Sequence, residues 1–366
     1  MNQQTMTIWA LVAATTLLAA CGGSGGGEAG SELIAKRTPS AQLQLKAVSS
    51  CADWRGFAAE SFVERALSPV YYYADGGPVP VAAEGDATGG VSAPDFTDTN
   101  TQEVGVDEAD LIETDSARGI IYAMHRETGS VRVIDAVPAA VSHEVGRIDL
   151  GASAYLYGQY LDPVAQRLTT VVGDSVGTRL DFYDVSDAAQ PAHLGQYRVD
   201  GYYLSSRRIG TRIHLIASHY FTGLDALYSS EAFNSGVNAW FEAEAAGDAE
   251  RADEQRAELL ALAQAEANNA PLAELVPNTA TAVDAPLTPM DCAALYRPEV
   301  ATAMATLTMT SIDMDGSNAA AIGAVNNAWM VYASADNLYL AQTSNGWFFA
   351  PFQVDQTSVH RFEISD

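Results

Sequence analysis

Four times in this chain an apolar or aromatic strand runs into an Asp-bearing turn, and the spacing of those turns limits the fold more than any other feature. The stretches are Val133-Ile134-Asp135, Phe182-Tyr183-Asp184-Val185-Ser186-Asp187, Ser311-Ile312-Asp313-Met314-Asp315 and Phe362-Glu363-Ile364-Ser365-Asp366. Ile134 to Tyr183 is 49 residues and Ile312 to Phe362 is 50. The middle interval, Tyr183 to Ile312, is 129, one period plus an insertion of roughly 80 residues. Periods of ~40–50 residues, each holding about four short strands, mark the blades of a propeller. Such a unit cannot hide its apolar faces alone, so its sheets stack radially on one another.

Strands can be placed inside the units. Gly119–Met124 and Ser130–Ile134 flank a Glu127-Thr128-Gly129 turn, a hairpin signal. The second unit holds Tyr155–Tyr160, Arg167–Val172 and Thr178–Tyr183; the third opens with His193–Val199, then Tyr202–Arg207 and Arg212–Ala217. The fourth takes Ala319–Ala324, Trp329–Ala333, Leu338–Ala341 and Val359–Ile364. Polar alternation is imperfect, as expected of sheets covered on both faces. The expected fold is all-β: a partial β-propeller of about four blades of four antiparallel strands, with an α-helical insertion and a short N-terminal helix.

The insertion, about residues 229–276, differs in kind. From Val237 to Ala270 it is rich in Ala, Glu and Arg, strong helix formers; Leu259, Leu262 and Ala263 form a narrow stripe, Gly247 divides the run and Pro271 stops it. It reads as a helical excursion between two strands of the third blade. It is either a solvated decoration or a lid or partner surface.

Before the repeat the chain divides by composition. Met6 to Ala20 is an apolar run of 15 residues, shorter than the ~20 a membrane span needs and suited to a signal peptide over 1–20. Leu18-Ala19-Ala20-Cys21-Gly22 resembles a bacterial lipobox, in which the Cys is lipidated and becomes the mature N-terminus. Residues 1–7 carry no Lys or Arg, a departure from the usual basic start. Gly22 rather than Asp after the Cys favours the outer membrane, by resemblance to lipoprotein sorting signals. Residues 21–40 read as a flexible tether from the lipid, 41–73 as a short helical segment and 74–98 as a second, disordered linker. Within the helical segment, Ala52–Ala66 is the expected helix and Ser50 its cap. With Cys21 lipidated, Cys51 and Cys292 remain as an even pair in an oxidising compartment, candidates for a disulfide that pins the N-terminal helix to the folded body. Two unrelated thiols are the alternative.

The formal charge is −27, from 46 acidic and 19 basic residues, and Lys36 and Lys46 are the only lysines. With no basic stripe, nucleic acid is excluded as a partner, and anionic lipid surfaces are disfavoured.

The propeller region, 99–366, opens on Thr99-Asn100-Thr101-Gln102-Glu103-Val104-Gly105-Val106-Asp107-Glu108-Ala109-Asp110-Leu111-Ile112-Glu113-Thr114-Asp115. This stretch resembles the opening signature of a family of secreted bacterial and archaeal proteins with a C-terminal β-propeller distantly related to WD-type repeats. Tyr183–Asp187 leading to Pro191, Val199–Gly210 with its Ser206-Arg207 pair, and Val331–Leu340 are similar to the same family. The resemblance covers about 99–366 and implies a fold and a location, with no established reaction and no catalytic residues to carry over. Members of the family continue beyond the point where this chain stops. The expectation is a fragment whose last blade exposes a sheet edge.

The residues of the signature motif singled out are Asn100, Gly105, Asp107, Glu108 and Asp110, with Ser206 and Arg207 downstream. Asp107-Glu108-Ala109-Asp110 spells the helicase-type DEAD string, but no Gly-Lys pair exists to form a phosphate loop. Asp107, Glu108 and Asp110 are candidate calcium ligands, since three carboxylates suit a hard cation, although their spacing is not that of an EF-hand loop. The other reading is structural: Asp107 and Asp110 cap turns at the start of the first strand. Arg207 is expected to pair with a blade carboxylate, those of the Asp107–Asp110 cluster being among the candidates. His214 and His219 are five apart, which misses the zinc-helix spacing, and no GxSxG elbow surrounds Ser205-Ser206. No resident cofactor is expected apart from the calcium.

The leading functional expectation is a non-enzymatic binding or assembly module, lipid-anchored to the cell envelope through Cys21, presenting a propeller face to a protein, glycan or peptide. The alternative is an extracytoplasmic hydrolase or lyase with a channel-mouth site, with or without calcium.

Overall fold

The computed structural model describes residues 8–9, 43–68, 103, 105–301, 305–326, 328, 330–343 and 357–364. Four sheets follow one another along the chain. Blade 1 is the antiparallel meander Ile112–Asp115, Ile120–His125, Ser130–Asp135 and His143–Asp149. Blade 2 is Tyr155–Asp162, Arg167–Gly173, Thr178–Asp184 and Ala192–Val199, extended outward by the two-residue strands Asn278–Thr279 and Thr288–Pro289. Blade 3 is Tyr202–Ile209, Arg212–Tyr220, Ala305–Asp313 and Ala320–Val325. In blade 4, Met330–Ala333, Asn337–Thr343 and Thr357–Glu363 pair in order, and Ile8–Trp9 lies antiparallel against the last of them.

The repeat has the expected period and a shifted phase. His193–Val199 was expected to open the third blade, yet residues 192–199 pair with Thr178–Asp184 and close the second. The strand expected at Ala319–Ala324 opens no fourth blade: residues 320–325 pair with Ala305–Asp313 and close the third. The reason lies in what the Asp turns do. In each blade the strand that ends in the turn is the third, and in blades 1 to 3 the turn leads on to the fourth strand. Asp184 accepts from the amide of Ser186, Asp187 from Ala189 and Asp315 from Ser317, so the side chain folds the backbone locally. The turn chemistry repeats faithfully, but nothing in a strand buried on both faces announces its place in the meander.

Successive side chains of a strand point to opposite faces, so each blade feeds two interfaces. Between blades 1 and 2 lie Tyr122, Val131, Val133, Leu156, Leu168 and Val172. Val171 and Leu180, from the same blade 2 strands, turn the other way and meet Ile213, Leu215 and Ile312 of blade 3. Ile216, Leu307 and Met309 meet Leu338, Leu340 and Phe362 of blade 4. Each such side chain contributes ~1.5–3 kcal/mol when fully buried. These seams account for the radial stacking.

The helical insertion leaves blade 3 between its second and third strands. Helix α1 is Cys51–Ala66, capped by Ser50, whose hydroxyl accepts from the Asp53 amide. Helix α2 is Glu231–Ala246 and α3 is Ala249–Asn269, separated at Gly247, which takes a left-handed conformation at φ 70°. The insertion is not a solvated decoration. One flank of it packs on α1, and Trp54, Phe57, Phe62, Phe233, Leu259 and Leu275 share a core there. Cys51 and Cys292 are joined by a disulfide, S–S 2.02 Å, that holds the start of α1 to the segment leading back to blade 3. Arg297 pairs with Asp53 and, through that hydrogen bond first, lowers the Asp53 pKa. Lys46–Ala47 adds a further strand beside Leu295–Arg297, outside blade 3.

Candidate functional site

The signature stretch does not simply open the first blade. It runs along the first strands of the blades in the reverse of their order. Glu103 accepts a hydrogen bond from Tyr332 of blade 4 at 2.9 Å. Val106–Glu108 pairs antiparallel with the first strand of blade 3, placing Glu108 opposite Arg207 and Asp107 opposite Arg208. Asp110 exchanges two backbone hydrogen bonds with Gln159 on the first strand of blade 2, at 3.1 and 2.8 Å. The chain then becomes the first strand of blade 1 at Ile112. One segment thus stitches four sheets along their axial edge.

Two residues make the passage possible. Gly158 lies where Ala109 crosses, and a Cβ there would sit 2.7 Å from the Ala109 carbonyl carbon. Gln159, wholly buried, donates its side-chain amide to the carbonyls of Leu111 and Tyr122 at 3.3 and 2.7 Å. It satisfies backbone groups of the signature and of blade 1 from blade 2, which buried carbonyls require.

The acidic cluster resolves into ion pairs. Glu108 meets Arg207 at 3.0 Å and Asp107 meets Arg208 at 2.8 Å, each pair across adjacent strands. Asp107 therefore does not cap a turn; its carboxylate accepts from the Arg208 guanidinium. The calcium reading of Asp107, Glu108 and Asp110 is corrected too. Neighbours in a strand face opposite ways, two of the three carboxylates are held by guanidinium groups, and among the described residues no group of three or more His, Cys, Asp or Glu is arranged to hold a metal. Glu113, next along the axis, is pushed up to about 8 by burial and then by the charges of Asp107 and Asp110, against the pull of Arg208. At neutral pH it is mostly protonated.

Gly105 takes φ 80°, a left-handed turn just before the strand, which favours glycine. Ser206 is fully buried, accepting from Tyr160 at 2.7 Å and lying 3.1 Å from the Tyr203 hydroxyl, so it is enclosed rather than available as a nucleophile. Arg207 also donates to Ser205 Oγ and the Ser206 carbonyl. His219 pairs with Asp200 at 3.2 Å, but its Nε2 is buried with no partner and cannot reach a substrate. Asn100 and Cys21 lie outside the described residues.

The surface that remains open is aromatic. Tyr155 and Tyr157 begin the first strand of blade 2; Tyr202 and Tyr203 begin that of blade 3. Tyr157 stacks on Tyr203 with ring centroids 4.2 Å apart, and Tyr155 lies 4.8 Å from Tyr157. Tyr157 is pushed up by burial, then by Tyr155 and Tyr202. Tyr155 is 59% and Tyr202 74% exposed. Two half-buried, stacked tyrosines thus lie beside two exposed ones at the end where both first strands start. None of these, nor Gln159, was singled out from the sequence. The usable signal was a tyrosine pair at the same place in two successive units.

Four-stranded antiparallel sheets, radially stacked and threaded along one edge by a common segment, define a β-propeller, with four blades among the described residues. Residues 96–366 match the family model described as a beta propeller domain, and the chain belongs to that family. No curated protein and no solved structure matches it.

Proposed function

We propose that this protein is a non-enzymatic binding or assembly module of the cell envelope, exported and lipid-anchored at Cys21, with a protein or glycan partner docking at the tyrosine platform. The observation that carries the reading is the three-ring cluster of Tyr155, Tyr157 and Tyr203, with exposed Tyr202 next to it in sequence, at the starts of the first strands of blades 2 and 3. Tyrosine offers a large rigid apolar face and a polar tip at little entropic cost, which is why it is enriched at binding surfaces. Loops and strand ends held by a rigid scaffold are where propellers bind. The lipobox-like Leu18–Gly22 supports the anchor and the outer-membrane address. Processing at Cys21 removes Ile8–Trp9 and uncovers the outer edge of blade 4.

A photo-crosslinking residue at Tyr202, compared with one at Val164 on the opposite end of blade 2, tests the platform in intact cells. A discrete adduct at 202 and none at 164 is the expected result; no adduct at 202, or equal labelling at both, overturns it. Cys21→Ser should release the protein from the membrane fraction, and continued membrane association would contradict the anchor.

A further inference from the structure

A second site lies away from the axis, where blades 1 and 2 separate toward their outer strands. The groove has a volume of about 460 Å³ and runs between the last strand of blade 1 and the third strand of blade 2. Small-ligand sites span ~300–1,000 Å³. The groove opens because the side chains change character. Leu180 and Phe182 turn toward blade 3, so Arg179, Asp181 and Tyr183 must face blade 1. Where an apolar seam would be expected, two of these three are charged.

The polar floor is built and fixed. Arg179 donates to Asp181 at 2.8 Å, to Asp174 at 2.9 Å and to the Leu150 carbonyl at 2.6 Å. Asp181 is 3% exposed, and burial raises its pKa against the pull of Arg179. A buried ion pair is rarely a gain in stability over apolar residues of the same shape. Keeping one here, with its arginine held by three acceptors, is better explained by recognition than by packing. The wall is aromatic: His193 lies 5.1 Å from the Tyr183 ring. Next to the lining residue Arg147, the turn after blade 2's third strand rests on Gly146. A Cβ there would lie 2.3 Å from the Ala188 carbonyl oxygen.

The charges decide the ligand class. Arg147 and Arg179 balance Asp149 and Asp181 among the lining residues, so no ionic ligand is favoured locally. A net charge of −27 repels anions at long range. What fits is neutral, with a ring of hydroxyls able to donate and accept, and an apolar face to lie on an aromatic wall. We propose that this groove is a saccharide site that takes one or two units of a neutral sugar. It stands apart from the tyrosine platform and does not depend on it.

The test is calorimetric titration of the whole protein with maltose, cellobiose, lactose and the N-acetylglucosamine dimer, with sulfate and tetra-alanine as the other probes. Saturable binding of at least one disaccharide is expected. It should weaken about tenfold or more in His193→Ala and in Asp181→Asn, since a hydrogen bond to a charged group is worth ~1.5–3 kcal/mol. A Tyr155→Ala/Tyr202→Ala variant should bind the sugar as wild type does. If Asp181→Asn fails to fold, Arg147→Ala, at an exposed position, replaces it. Binding of no disaccharide, preference for sulfate or the peptide, or sugar binding indifferent to His193→Ala overturns the proposal. Loss of sugar binding in the double tyrosine variant alone also overturns it and moves the sugar to the axial platform.

Discussion

Asp110 and Gln159 exchange both backbone hydrogen bonds across two blades, at 3.1 and 2.8 Å, and the Gln159 side chain then reaches two further carbonyls, of Leu111 and Tyr122. The Leu111 carbonyl also accepts from the Met124 amide at 2.8 Å, so removing the side-chain amide takes one donor from each carbonyl without orphaning both. A lost buried hydrogen bond costs ~0.5–1.5 kcal/mol. Gln159→Leu, which keeps the bulk, should therefore lower stability by ~1–3 kcal/mol in urea unfolding, with the m-value unchanged.

Arg207 spends its fork on three partners: the Glu108 carboxylate, Ser205 Oγ and the Ser206 carbonyl. Lysine keeps the charge but presents a point rather than a fork. Arg207→Lys should lose ~1–3 kcal/mol and folding yield, with tyrosine-platform crosslinking unaltered in the protein that does fold. Wild-type yield would show that the pairing across the two strands contributes little.

Glu113 is the acid whose burial matters most for pH. Its folded pKa, about 8, lies above the ordinary glutamate value of 4.5. The folded state therefore holds a proton that the unfolded chain releases. That contribution is complete below 4.5 and declines as pH rises through 8, at up to ~1.4 kcal/mol per pH unit. Glu113→Gln mimics the protonated acid and should flatten the alkaline decline. Denaturation midpoints measured across this window check it.

His360 behaves in the opposite sense. On the last described strand of blade 4 it is buried against Leu43, Leu45 and Val325, its Nδ1 has no partner among the described residues, and burial lowers its pKa to about 4 from the ordinary histidine value of 6.5. The neutral ring stabilises the fold above 6.5, and that contribution is lost as pH falls from 6.5 through 4. His360→Leu should remove ~2–3 kcal/mol of acid sensitivity. Thermal unfolding of the two proteins at pH values bracketing that window reads the difference.

The disulfide between Cys51 and Cys292 closes a loop of 241 residues in sequence separation. By loop entropy it constrains the unfolded chain by on the order of 5 kcal/mol. Cys51→Ser with Cys292→Ser should cost ~2–5 kcal/mol. Faster proteolysis should begin in α1, because it would be held to the insertion by packing and side-chain bonds such as Trp54 Nε1 to the Leu275 carbonyl, with no covalent tie.

The blade period and the helical insertion were readable because turns and helix formers are local chemistry. Asp184 and Asp187 fold their own backbone, and Gly247 breaks a helix whatever surrounds it. The phase was not readable, since His193–Val199 and Tyr202–Ile209 are both plausible first strands until pairing is known. Nor was the path of the signature. Arg207 was expected to meet a blade carboxylate and does meet Glu108, but Gln159, about 50 residues from Asp110, was not foreseen, since nothing in Val106–Asp110 specifies it. The platform tyrosines were lost among 16 in the chain. The groove at Asp181 could not be seen at all, because it depends on which face of one strand meets the next blade.

The central claim is that residues 106–115 are an axial thread, bonded to the first strands of blades 3 and 2 before becoming that of blade 1, rather than a linker before them. Hydrogen–deuterium exchange on the intact protein tests it most directly. The account predicts that peptides covering Val106–Asp115 are protected as strongly as those covering Tyr155–Asp162 and Tyr202–Ile209, and that Gln159→Leu weakens protection at Asp110 first. Exchange of Val106–Asp115 as fast as that of the surface turn at Val164 would contradict it.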